Sequence, residues 1–149
     1  MSATSRRPTG LTSLAPALIW LFICAIGNLL VWRSMQPAGF PPGSPETAVI
    51  QALTGPLFAS LLSLYGVTAL LAAIAVWRML PWMSVAFLVW SVVALLLGTF
   101  FLEAIPPGLI MGGRFAAVAF VAGLATILWL IYRYLQRVTP NTTRVGQSL

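Results

Sequence analysis

The sequence predicts an all-α integral membrane protein, a bundle of four transmembrane helices, and three observations predict it. Charge is scarce: 7% of the 149 residues are charged and 60% are apolar, whereas a soluble domain carries roughly a quarter charged residues. The charges that exist lie at the flanks of long apolar stretches. There are four such stretches, each near the ~20 residues that cross a hydrocarbon core as a helix.

The first span is expected over 14–32, which is free of charge. The next uncharged stretch, 47–77, is too long for one upright helix at ~1.5 Å per residue. Thr54-Gly55-Pro56 divides it, because Thr is a good helix cap and Pro suits a first helical turn. A short interfacial helix over 45–53, capped by Ser44, therefore precedes a second span over 56–77. A single helix kinked at Pro56 is the alternative. Arg78-Met79-Leu80-Pro81 makes a tight connection to a third span, 82–102. Ile105-Pro106-Pro107-Gly108 breaks the chain again, and the fourth span follows over 109–132. The transmembrane domain occupies 14–133. The tails, 1–13 and 134–149, hold too little apolar surface to fold alone.

Orientation follows from the cations, all of which are Arg. Arg6, Arg7, Arg78, Arg133, Arg137 and Arg144 share one side of a four-span topology, and Arg33 and Arg114 the other with Glu46 and Glu103. Positive residues favour the cytoplasm, so both termini are expected inside. Trp77, Trp82, Trp129, Tyr132 and Tyr134 then form an inner aromatic belt, with Trp20 deeper, and Trp32 marks the outer interface. The Arg-only, Ala- and Leu-rich usage points to a bacterial cell (inner) membrane. Ser5-Arg6-Arg7 lacks the apolar continuation of a twin-arginine signal, and no small-residue cleavage site follows Trp32, so the first span is expected to stay uncleaved.

Within the spans the informative residues are small or weakly polar. Gly112, Ala116, Ala119, Gly123 and Thr126 recur at steps of four and three, which places them on one stripe of the fourth helix. Ala59, Ser63, Gly66 and Ala73 do the same on the second, and Ser84, Ser91, Ala94 and Gly98 share a face of the third. In lipid, close backbone approach along small residues is a main source of helix association, so these stripes are expected to be packing seams, with Gly123 facing another helix. Asn28, Ser60, Ser63 and Thr99 fall in the outer half and form a candidate polar cluster. Glu103 ends the third span and Arg114 opens the fourth, so an interfacial ion pair between them is expected.

What is missing bounds the function. No Asp, Glu, Lys, Arg or His lies near the middle of a span, where proton relays and coupled transporters place one. The chain has no His, so it offers no histidine-ligated haem or metal. Cys24 is alone inside an apolar run and reads as a small buried hydrophobe. There is no nucleophile–base set and no phosphate-binding glycine loop. The reading is a non-catalytic accessory subunit of a larger membrane complex, of the respiratory or photosynthetic kind. Its expected partners are membrane lipids and larger integral membrane chains, not nucleic acid. It carries no cofactor of its own, although contacts with lipid, quinone or pigment are compatible with it. The alternatives are an oligomeric small-solute channel or lipid transporter, and an enzyme on a lipid or isoprenoid substrate.

Overall fold

The structure, a computed structural model, describes residues 9–34, 43–105 and 113–138. Five helices account for them: α1 (Thr9–Ser34), α2 (Pro45–Thr54), α3 (Pro56–Trp77), α4 (Met83–Ala104) and α5 (Gly113–Val138). All but α2 are long and apolar enough to cross a membrane. Leu30, Val67, Val118 and Phe115 stand mostly exposed along them, a surface suited to lipid and not to water. The fold is that of a multi-pass membrane protein.

The local stops are where the sequence places them. Ser44 caps α2, its hydroxyl accepting from the Thr47 N–H at 3.2 Å, with Pro45 in the first turn. Gly55 is extended between α2 and α3, so the chain breaks there and is not merely kinked. After α3 the Leu80 N–H reaches the Ala75 carbonyl at 2.9 Å and the Met79 N–H reaches Val76 at 3.2 Å. That is a Schellman closure, with Met79 at φ 51° in the position glycine usually takes. Pro81 follows and prevents the helix from resuming at once. The termini of α1 and α5 exceed the expected spans: α1 starts at Thr9, and α5 continues past Tyr132 to Val138. Backbone hydrogen bonding does not need apolar side chains, so these helices run on beyond the stretch that hydropathy marks. Pro16 lies inside α1 as a result, where it removes one backbone donor.

The four long helices alternate in direction, which puts the start of α1 and the end of α5 on the same face of the bundle. α1 packs against α3, α3 against α4 and α4 against α5, while α2 lies against α1, α3 and α4. The core is concentrated at the termini end. Leu11, Ala15 and Leu18 of α1 meet Ala69, Ala72, Ala73 and Val76 of α3, Met83 and Phe87 of α4, and Leu128 and Leu135 of α5. On α3 most small residues turn inward and most large ones outward. Gly66, Ala69, Ala72, Ala73 and Ala75 are buried while Leu64, Val67, Leu71 and Ile74 face out. Lipid tails solvate Leu as well as a protein interior does, so the inward face is chosen by closeness of approach and not by hydropathy.

Candidate functional site

The seam expected on α3 is present in part. A methyl added at Gly66 would lie 3.3 Å from the Ala25 Cβ of α1, so this glycine lets the two backbones close. Ala73 is buried, Ala59 is half-buried and Ser63 is exposed. The buried stripe runs through Leu62, Gly66, Ala69, Ala73 and Val76 instead. Ala69 and Val76 keep heptad spacing with it, a signal available in the sequence but hidden by apolar residues all around the helix.

On α4, Ser91 is buried, Ser84 and Ala94 are half-buried, and an added Cβ at Gly98 would touch nothing within 4 Å. Between α3 and α4 the aromatic rings do most of the joining: Phe58 stacks on Phe100 with centroids 6.1 Å apart, and Tyr65 meets Trp90 at 5.9 Å.

The α5 stripe faces the other way. Ala119, Gly123 and Thr126 are exposed, Ala116 is half-buried, and nothing within 4 Å would meet a Cβ at Gly123. Gly123 therefore faces no other helix among the described residues, and the expected seam is not formed between them. Gly112 lies outside the described residues. The reason is the seating of α5. Of the other helices only α4 runs close along its backbone, and the contact is firmest at the termini end. There Leu128 and Leu135 are buried and Tyr134 reaches Gly10.

The polar residues do not assemble into a cluster. Asn28, Ser60, Ser63 and Thr99 are all exposed, and each donates to its own helix. Asn28 bonds the Cys24 carbonyl at 2.8 Å, Ser63 that of Ala59 at 2.8 Å, and Thr99 that of Leu96 at 2.9 Å. Ser60 bonds back to Pro56. In the absence of water, a helix carbonyl one turn away is the nearest acceptor for a short hydroxyl. Ser91, Thr68 and Thr126 do the same.

The Glu103–Arg114 ion pair is not formed either. Both residues are exposed and both line a cavity of about 690 Å³ between α4 and α5, at the end of the bundle away from the termini. A cleft lined by both helices lies between them there, and no ion pair joins the two side chains. Thr99, Leu102, Val118 and Val121 form part of the apolar wall, with Ala117, Ala122 and Ala125 making room. Sequence reading found the two charges but not the cavity, which depends on how α5 tilts.

At the termini end Trp77 and Trp82 are exposed beside the α3–α4 turn, and Trp129 packs against Tyr132 at 5.8 Å with the Arg133 guanidinium 5.7 Å from its ring, while Phe101 and Phe115 are exposed at the opposite end. Cys24 is half-buried. Among the described residues no three His, Cys, Asp or Glu side chains come together to hold a metal ion. No protein-family model, curated protein or solved structure matches this chain.

Proposed function

We infer that this chain is a small, non-catalytic accessory subunit of a larger membrane complex. The observation that carries the reading is α5: seated along α4 and meeting α1 near its end, it turns its small-residue stripe away from its own bundle. Ala119, Gly123 and Thr126 offer no bulk to lipid and a flat path to another backbone, the arrangement by which transmembrane helices of different chains associate. A transmembrane helix of a larger neighbour is the partner that fits this face.

The charges support an orientation for the assembly. Arg78, Arg133 and Arg137 sit at the termini end, while Arg114 and Glu103 sit at the opposite one. With Arg6, Arg7 and Arg144 in the flanking tails, the termini end is the more basic. By the positive-inside rule it belongs to the cytoplasmic face of a bacterial inner membrane. There the arginines can meet anionic head groups or acidic loops of a partner. A solute path has weaker support, since the polar residues that would line one are turned back onto their own helices.

Purification from native membranes in a mild detergent tests the reading. The expected result is co-purification with larger membrane chains at fixed stoichiometry, lost in Gly123→Leu while the thermal midpoint of the chain stays as it was. Isolation of the wild-type chain alone, or undiminished partner retention by Gly123→Leu, would overturn it.

A further inference from the structure

The cavity between α4 and α5 has the dimensions of a membrane amphiphile. Its volume of about 690 Å³ falls among ligand sites, which run ~300–1,000 Å³. The lining runs eleven residues along α5, from Arg114 to Ala125. At ~1.5 Å per residue that is about 16 Å of length, close to one leaflet of a ~30 Å hydrocarbon core. An acyl chain matches the apolar walls that Leu102, Val118, Val121 and Ala122 provide.

The mouth is chemically specific. Glu103 is the next-to-last residue of α4 and Arg114 the second of α5, so both stand where a span meets the head-group layer. They face the same cavity without pairing to each other, and the N-terminal end of α5 adds partial positive charge beside Arg114. A head group that is only anionic would suit Arg114 and be repelled by Glu103. One carrying a phosphate and a primary amine would satisfy both, the phosphate accepting from the guanidinium and the ammonium donating to the carboxylate. A quaternary amine has no N–H to donate.

We propose that the α4–α5 cleft is a binding site for a phospholipid with a phosphoethanolamine head group, its phosphate on Arg114, its ammonium on Glu103 and an acyl chain between the helices. This goes beyond the subunit reading and is independent of it, because the site is complete within one chain.

The test uses the purified full chain reconstituted in vesicles of equal parts phosphatidylethanolamine, phosphatidylglycerol and phosphatidylcholine, re-extracted gently, with the retained lipid quantified. The wild type should retain phosphatidylethanolamine several-fold over either of the other two lipids. Glu103→Gln should still retain phospholipid but lose the preference over phosphatidylglycerol. Arg114→Gln should retain little of any kind. Ala122→Trp, which fills the cleft and leaves both charges in place, should expel the lipid as well. Retained lipid that mirrors the vesicle composition in the wild type would overturn the proposal. So would an unchanged preference in Glu103→Gln and Ala122→Trp, or cross-linking of a partner chain to residue 122 in native membranes.

Discussion

Two glycines of similar sequence setting have opposite roles. Gly66 lies under α1, with the Ala25 Cβ 3.3 Å from where its own methyl would be, whereas Gly123 opens onto empty space. Gly66→Leu should therefore overpack the α1–α3 contact and cost about 1–3 kcal/mol, read as a lower unfolding midpoint. Gly123→Leu should leave that midpoint unchanged. Phe87, with 0% of its surface exposed, anchors the core, and Phe87→Ala should cost about 3–5 kcal/mol in the same measurement. Met79 holds a left-handed backbone that a β-branched residue tolerates poorly. Met79→Val should lower the midpoint more than Met79→Gly, and the reverse order would count against the Schellman closure. The cap at Ser44 and the break at Gly55 were legible in the sequence, because Ser, Pro and Gly act through their own backbone chemistry. The inward residues of α3 were less so: the stripe through Ala59, Ser63, Gly66 and Ala73 shares two buried members with the true one. With Leu, Val and Ala on every face, nothing local says which way a small residue points.

At the scale of elements, the spans were readable from apolar length and α3 begins and ends as expected, but the outer ends of α1 and α5 were not readable, since both continue into more polar sequence. The tilt of α5 was not readable either. It follows from packing at one end, where Leu128 and Leu135 are buried, and from separation at the other, where Glu103 and Arg114 border the cavity. The ion pair and the polar cluster both assumed helices in contact along their full length. The α4–α5 pair should accordingly be tighter near the termini than away from them. Spin labels at Val85 and Leu130 should give a narrower distance distribution by electron–electron resonance than labels at Phe101 and Val118. Equal widths would mean that α5 is seated along its whole length.

Among the described residues the core lies toward the termini end and a cleft parts α4 from α5 at the other, with a surface suited to lipid and an α5 face that meets no other described helix. Partner docking and lipid binding are both proposed for α5, on different faces of it, and both depend on the alternating path of the four long helices. The direct measurement of that path is cysteine accessibility to a membrane-impermeant reagent in intact cells and inverted vesicles. It uses Cys24→Ala protein with single cysteines at position 3, position 115 or position 145. Positions 3 and 145 should label together, from the cytoplasmic side only, and position 115 from the opposite side only. Labelling of positions 3 and 145 from opposite sides, or of 115 from the same side as either, would contradict the four-span fold.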